Sequence, residues 1–304
     1  MKTILLTGGT GFLGSHLLRE LVRANEYKII ILKRKTSSFK KIENVCENSV
    51  FQNKNVSFID FSDDFDIKQF FRENKISIMI HAATNYGRNE NPSSVLKSNL
   101  IFPITLIEEA VKNGLELFIN TDSYFNKPNQ SYKNLLDYSL SKKSFNLWLE
   151  YYSSKVKIVN LRLEHIFGDF DNDNKFCESI IQQIAVKKKN SINLTNGEQK
   201  RDFVFVDDVC NAYIQILKNY KKFFFNYLLF DVGTGVATSI RDFVSYVKEI
   251  SKSDTELLFG TLPYREDEIM ISYADVLPLY NWGFKSKFSW KEGVEKIIKI
   301  YRSL

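Results

Sequence analysis

The stretch "TGGTGFLGSHLL" (Thr7–Leu18) decides the fold. It follows the apolar run "TILLT" and opens a helical pattern over Phe12–Arg23, so a strand, a glycine loop and a helix come in direct succession. Gly8 and Gly11 let the backbone turn tightly and approach a pyrophosphate, and Gly14 lets helix and strand pack closely. A phosphate held there meets the unpaired N–H groups and positive dipole of a helix N-terminus. A glycine triplet by itself serves ordinary turns equally well. Its place between a strand and a helix, at the start of a βαβ unit, makes it a dinucleotide loop. Gly8, Gly11, Phe12, Leu13 and Gly14 are therefore the expected cofactor-binding residues of this turn.

Outward from the loop, short β-rich runs alternate with helical patterns. The strand candidates are "TILLT", "KIIIL", "NVSFI", "SIMIH", "LELFIN" and "VKIVNL", separated by helical patterns at Phe12–Arg23, Asp64–Glu73, Pro92–Asn113 and Leu135–Tyr152. Strands followed by helices of this length imply parallel strands with crossovers, an α/β doubly wound parallel sheet of Rossmann type. Near-continuous apolar strands fit a sheet buried on both faces. After about Leu163 the alternation becomes irregular, with a strand at "RDFVFV", a helix from Asp207, a strand at "YLLFDV" and a terminal helix from Ser289. The expected division is a dinucleotide-binding domain over 1–163 and a smaller α+β substrate-binding lobe over 164–304, with some exchange of chain between them.

Composition narrows the classes. At 304 residues, 44% hydrophobic, the chain supports a large core. No apolar run reaches the roughly 18 residues of a membrane helix, and "MKTILLTGGTGFLG" reads as a first strand rather than a signal peptide. Cys46, Cys177 and Cys210 are an odd, scattered set, which favours reduced thiols and a cytoplasmic protein. His16, His81 and His165 are equally dispersed, so no metal is expected. The net charge of +6 is not gathered into a long basic tract, so neither nucleic acid nor a membrane is an expected partner. A mild positive excess suits small anions that carry phosphate.

The end of the second strand bears on the cofactor. NAD sites place Asp or Glu there, about 20 residues after the glycines, to bond the ribose 2′-hydroxyl. This chain has "ILKRKTSS", with Lys33, Arg34 and Lys35 and no carboxylate nearer than Glu26 or Glu43. Lys33 and Arg34 can pair with a 2′-phosphate, which favours NADPH over NAD; a solvated basic turn is the alternative.

Two Tyr-x-x-x-Lys pairs occur, Tyr138 with Lys142 and Tyr151 with Lys155, in a chain with 15 tyrosines. Lys155 follows "SS" at the mouth of the next strand, so the second pair need not share a helical face. The first lies within one helix, where residues four apart are neighbours. The ammonium of Lys142 near the phenolic oxygen favours phenolate and lowers a pKa that starts near 10.

Together, "ELFINTDSYF" (Glu116–Phe125) and "YSLSK" resemble the fifth strand, catalytic turn and Tyr-x-x-x-Lys of short-chain dehydrogenase/reductases. The resemblance implies a catalytic set of Thr121, Tyr138 and Lys142, with Lys142 also holding the nicotinamide ribose and Thr121 bonding the substrate oxygen. It extends over nearly the whole chain to the extended branch, the NAD-dependent epimerase/dehydratase family that works on nucleotide-linked sugars. "FIDFSD", with Asp60 and Phe61, matches the branch's adenine turn, and "HAAT", with Ala82 and Ala83, its strand end over the cofactor. Asn99 of "KSNL" matches its buried polar organiser and is counted with the cofactor residues. "GEQKRDFVFVDDV" supplies Arg201 and "PYREDE" supplies Arg265, both matching diphosphate contacts, and "VGTG" at Val232–Gly235 matches as well. Alternatively, Arg201 is a strand-edge residue ion-paired to Asp202, and Arg265 is surface.

Three details narrow the reaction that the resemblance implies. Sugar 4,6-dehydratases carry Thr-Asp-Glu in the catalytic turn; here it is Thr121, Asp122 and Ser123, so the second acid is missing. Asp122 is then a remnant of proton handling or a structural turn residue, and with Ser123 it is placed on the substrate side. The short gap from Thr121 to Tyr138 implies a trimmed pocket wall. "ILKRKTSS", "HAATNYGR", "NTDSYF" and "YSLSKKSF" together look most like the CDP-abequose and CDP-paratose synthase group, which reduces a 4-keto group on a CDP-linked sugar with NADPH. The expected activity is such a reductase, serving surface polysaccharide synthesis and acting on a nucleotide-diphosphate sugar, as a homodimer by resemblance to the branch. The rivals are an epimerase with retained NAD and a non-catalytic dinucleotide sensor. Asn85–Ser94 and the "LEHIFGDF" region are expected to line the sugar pocket.

Overall fold

A computed structural model describes residues 1–46, 50–62, 64–88, 90–128 and 133–303. In chain order its elements are β1 (Lys2–Thr7), α1 (Phe12–Ala24), β2 (Tyr27–Arg34), α2 (Lys40–Cys46), β3 (Val56–Phe61), α3 (Ile67–Glu73), β4 (Ile78–His81), α4 (Pro92–Leu96), α5 (Phe102–Lys112), β5 (Leu117–Ser123), α6 (Leu136–Tyr152) and β6 (Lys157–Leu163). There follow β7 (His165–Phe167), α7 (Phe176–Ile181), β8 (Ser191–Leu194), β9 (Lys200–Arg201), β10 (Phe203–Phe205), α8 (Val206–Asn219), β11 (Tyr227–Val232), β12 (Thr238–Ser239), α9 (Ile240–Ser251), β13 (Glu256–Phe259), α10 (Leu277–Tyr280) and α11 (Trp290–Ser303).

The seven strands β3-β2-β1-β4-β5-β6-β11 form one parallel sheet of Rossmann type. β1 is an interior strand between β2 and β4, and its Ile4, Leu5 and Leu6 are apolar and fully buried. One core cluster joins Leu5, Met79 and Phe118 from the strands to Leu106 from α5 and to Phe145 and Leu149 from α6. The helices begin where their sequences allow. Asp66 caps α3 through Gln69 N (2.9 Å), and Asn91 caps α4 through Ser94 N (2.9 Å), with Pro92 at the first helical position. The helical pattern over Pro92–Asn113 is interrupted by a π turn at Lys97–Ile101, which carries Asn99 into the interior.

Two compact units are resolved, and neither is continuous in sequence. The first comprises Met1–Asn126, Leu135–Arg162 and Tyr213–Phe230; the second comprises Lys127–Asn134, Leu163–Ala212 and Asp231–Leu304. The chain passes between units inside α8 and inside β11. The strand "YLLFDV", assigned from sequence to the second lobe, is thus the outer strand of the main sheet beside β6. Local periodicity identifies a strand but not its partner; α8 acts as one more crossover and fixes the pairing.

In the second unit, β7 and β10 pair in parallel, as do β8 and β13, while β9 and β12 pair antiparallel. Its core is aromatic: Phe203 stacks on Phe243 at 4.4 Å, and Phe167 meets Phe205 and Phe243 edge-on at 5.6 and 5.9 Å.

Candidate active site

The glycine loop of the first unit has the form a bound pyrophosphate requires. Gly8 has φ +73°, and a Cβ there would lie 2.5 Å from Ala83 N and 2.6 Å from Ala82 C. A Cβ on Gly14 would lie 2.0 Å from Gly8 O, so α1 and the loop touch backbone to backbone. Gly11 is the N-cap of α1 and supplies no side-chain cap, and the first turn holds no acid. The loop, the helix dipole and the absence of an acidic side chain together fit a phosphate-bearing cofactor.

The strand ends beside the loop are tied to it. Ala82 N donates to Thr7 O (3.2 Å), Ala83 N to Thr7 Oγ1 (3.4 Å), and Thr7 Oγ1 bonds His81 Nδ1 (2.8 Å). His81 is buried and held neutral, its pKa pushed down to about 3 by burial first and by Lys142 second. Asn99 is also buried. It donates to Asn85 O (2.7 Å) and Ser141 Oγ (3.0 Å) and accepts from Asn85 N (2.7 Å). Its amide organises the loop after β4, which gives it a scaffolding part.

At the end of β2, Lys33 and Arg34 differ. Lys33 is ion-paired with Asp60 across the β2–β3 register and lies 5.0 Å over the ring of Phe39. Two residues assigned from sequence to the cofactor are therefore occupied with each other. Arg34, beside Phe61 in the register, is exposed.

The catalytic candidates converge at the end of β5. Tyr138, Lys142, Phe145, Leu149 and Tyr152 form the buried stripe of α6, which presses the Tyr-x-x-x-Lys pair against the strand. Lys142 Nζ donates to Thr121 O (2.8 Å). The phenol of Tyr138 hydrogen-bonds Ser123, stacks on Tyr86 at 4.8 Å and meets Phe125 edge-on at 6.2 Å. The hydroxyl of Thr121 instead bonds the phenol of Tyr213 from α8 (2.7 Å). Ser123, not Thr121, thus provides the hydroxyl at Tyr138.

Electrostatics also depart from the sequence expectation. Burial pushes the Tyr138 phenol well above its ordinary range, and Tyr86 adds to the rise, while burial lowers Lys142 to about 8. The ammonium bonds a carbonyl rather than the phenolic oxygen, and a buried phenolate has too little compensation. Tyr138 therefore keeps its proton.

Asp122 is enclosed by protein groups. It is buried, and its oxygens accept from Ser123 N (2.8 Å), Asn126 Nδ2 (2.6 Å), Asn146 Nδ2 (2.8 Å) and Asn160 Nδ2 (3.3 Å). These contacts hold the carboxylate, expected from sequence on the substrate side, in the protein interior. Lys155 Nζ does reach Tyr151 Oη (2.9 Å), so the second Tyr–Lys pair shares a face after all. It lies on the exposed surface, because the chain leaves α6 in a turn that folds Lys155 back.

Within the second unit, Arg201 is buried and donates to Glu268 and to the carbonyls of Ile269 and Lys200. Asp202 is not its partner. Asp202 accepts from Thr234 N and Oγ1, Gly235 N and Ala274 N, anchoring the "VGTG" turn. Arg265 is exposed. Glu164 of "LEHIFGDF" is buried against Lys127 and Ser272, which removes it from any pocket wall. Within Asn85–Ser94, Asn85 and Gly87 join the loop network, and Asn89 lies outside the described residues.

Sequence reasoning passed over Asn146, Asn160 and Tyr213, and took Tyr86 only as part of the Asn85–Ser94 stretch. Asn146 was open to discovery as the next residue on the Tyr138–Lys142 face, and Asn160 as an amide inside an apolar strand. Tyr86 and Tyr213 reach the site only through the tertiary fold.

Comparison with known proteins identifies the family and the shared fold. Residues 4–226 match the model of the NAD dependent epimerase/dehydratase family. The chain belongs to this family. It is an NAD(P)-dependent enzyme of the extended short-chain dehydrogenase/reductase type. Among its relatives, the CDP-abequose synthase of Salmonella typhimurium is 32% identical over 97% of both chains. The CDP-abequose synthase of Salmonella muenchen is 33% identical over 98% of both. Among solved structures, the UDP-glucose 4-epimerase of Thermotoga maritima with UDP-glucose superposes with a TM-score of 0.83 at 24% identity, covering 99% of each chain. That likeness establishes the shared fold.

Proposed function

We propose that the protein is an NADPH-dependent reductase of a nucleotide-diphospho-4-keto-deoxysugar, CDP-linked, that supplies a sugar for surface polysaccharide. The observation that carries the reading is the buried, protonated phenol of Tyr138 at the end of β5, with Ser123 on its oxygen and Lys142 behind it. A reductase needs its tyrosine as an acid, because hydride addition to a ketone leaves an alkoxide that must be protonated. Ser123 in place of a glutamate argues against water elimination. The two abequose synthase relatives support the CDP-linked substrate.

NADPH, when bound, supplies the hydride to C4. The residues that fit its pyrophosphate are Gly8, Gly11, Phe12, Leu13 and Gly14; Arg34 fits the 2′-phosphate, with Lys33 steadied by Asp60 beside it. Tyr138 gives its proton to the new C4 oxygen, Ser123 orients that oxygen, Thr121 seats Lys142 through its carbonyl, and Lys142 holds the ribose and steadies the returning charge on Tyr138. Arg201 and Arg265 are the diphosphate candidates, Arg201 by exchanging Glu268 for phosphate oxygens. The exposed Leu136, Leu140, Leu147 and Trp148 of α6 support a homodimer.

NADPH carrying deuterium at both nicotinamide C4 positions tests the reaction. Deuterium is expected at sugar C4 in one equivalent. Deuterium-free epimer formed without added cofactor, together with NAD released from denatured protein, would establish the epimerase instead. On the cofactor side, Arg34→Ser is expected to raise the NADPH Kd about tenfold and leave the NADH Kd nearly unchanged, as for the loss of one charge-assisted phosphate contact; titration by cofactor fluorescence checks both. For pH, kcat is expected to fall as pH rises through about 8, where buried Lys142 loses its proton and the returning charge on Tyr138 loses its support. A rate flat to pH 10 would contradict that assignment.

A further inference from the structure

One charged group beside the catalytic pair has no part in the proposed reduction. Asp122 stands in the catalytic turn between Thr121 and Ser123, and its carboxylate is only 3% exposed. All four of its hydrogen-bond partners are N–H donors: Ser123 N, Asn126 Nδ2, Asn146 Nδ2 and Asn160 Nδ2. A protonated acid has a hydrogen to place and needs an acceptor, whereas an ionised carboxylate accepts only. A cage of four donors is built for the ion, although burial outweighs these bonds and Lys142 and leaves the pKa of the carboxyl raised. A buried charge held by amides requires a nearby opposite charge to be tolerated.

That charge is Lys142. Tyr138, Lys142 and Asn146 recur every four residues along one face of α6 and grip the end of β5 in turn. Tyr138 bonds Ser123, Lys142 bonds the carbonyl of Thr121 at 2.8 Å, and Asn146 bonds Asp122 at 2.8 Å. The carboxylate and the ammonium are thereby set against the same strand end by consecutive turns of one helix. Asp122 favours the charged form of Lys142 against the burial that opposes it, and Lys142 does the same for Asp122. The other titratable groups facing the pair are the neutral His81 from β4 and the phenols of Tyr86, Tyr124, Tyr138, Tyr213 and Tyr227. Neutral His81 and the protonated phenol of Tyr138 carry no charge that could replace the carboxylate.

We propose that Asp122 is a positioning residue, the fixed internal counter-charge that keeps Lys142 an ammonium seated on the Thr121 carbonyl, and that Asn146 and Asn160 are the clamps that aim it. The inference rests on the reading of Tyr138 and Lys142 as the catalytic pair. It gives the catalytic turn a third function, distinct from orienting the substrate oxygen or handling a substrate proton. It also explains the amides of half-buried Asn146 beside the buried stripe of α6 and of Asn160, fully buried in the apolar strand β6.

The test is the pH profile of kcat for substrate-dependent NADPH oxidation between pH 6 and pH 10. Asp122→Asn is expected to move the alkaline limb down by about one pH unit, as for the loss of one close opposite charge. Its activity would then fall about tenfold beyond the limb, with a much smaller loss at pH 6.5. The double variant Asp122→Asn/Asn146→Asp returns the charge across the same hydrogen bond and is expected to bring the limb back. Asn146→Ala, which keeps the charge and loosens its aim, is expected to move the limb in the same direction by a smaller step; it carries the test if Asp122→Asn does not fold. An equal loss at every pH, or no return in the double variant, would show a purely structural role and overturn the proposal. An unmoved limb in Asn146→Ala would do the same. Full activity in Tyr138→Phe and Lys142→Met would instead bring down the catalytic reading itself. Inactivity of those two with an unmoved limb in Asp122→Asn would remove only the counter-charge.

Discussion

Replacing Tyr138 by phenylalanine is expected to lower kcat about a thousandfold, the scale of a lost positioned proton donor. The ring itself should stay where it is. It is buried, stacked on Tyr86 and edge-on to Phe125, and these contacts involve the ring and not the oxygen. Deleting the hydroxyl removes the bond to Ser123, so the cost to stability is limited to roughly 1 kcal/mol. KM for the nucleotide sugar and Kd for NADPH should therefore change by less than about threefold, well under the loss in rate. Steady-state kinetics with cofactor titration separates the two effects. A variant that kept more than about a tenth of wild-type kcat would move the proton donor away from Tyr138.

Gly14→Ala is expected to be the most damaging single methyl in the chain. The added carbon would stand 2.0 Å from Gly8 O and 2.7 Å from Gly9 Cα, contacts with backbone that no side-chain rotation relieves. Either α1 moves off β1 or the loop shifts, and each course opens the phosphate cradle. Overpacking of this kind costs about 1–3 kcal/mol or more. The variant should melt several degrees lower and bind NADPH at least tenfold more weakly, a shift readable by calorimetry and by cofactor titration. Gly114→Ala serves as the control: its Cβ meets nothing within 4 Å, so only the strain of φ +86° remains. Equal NADPH affinity in the two variants would contradict the cradle.

The two halves of the chain were not equally legible. β1 to β6 could be read directly because the interior parallel strands are buried on both faces and each of the six spells a short apolar run between helical patterns. The glycine loop was legible for a related reason: close approach of backbone to backbone admits one residue type. By contrast, β11 has the same local character as the other strands, and only the path of α8 assigns it to the main sheet. At the site, Tyr138 and Lys142 could be placed on one helical face from their spacing. Which hydroxyl meets the phenol could not, because Thr121 and Ser123 lie on the same side of β5 and the choice is set by Tyr213, 92 residues away. Charge partners were the least legible. Lys33 with Asp60 and Arg201 with Glu268 are pairs that tertiary structure makes, and a basic residue in sequence gives no sign of which carboxylate it meets.

The most direct measurement is to mix the purified protein with NADPH and a CDP-4-keto-deoxyhexose and follow NADPH absorbance together with the sugar product. One NADPH should be consumed for each ketone reduced, with a hydroxyl appearing at C4, and Tyr138→Phe should suppress both. No substrate-dependent loss of NADPH with CDP-, dTDP- or GDP-linked 4-keto sugars would contradict the reductase.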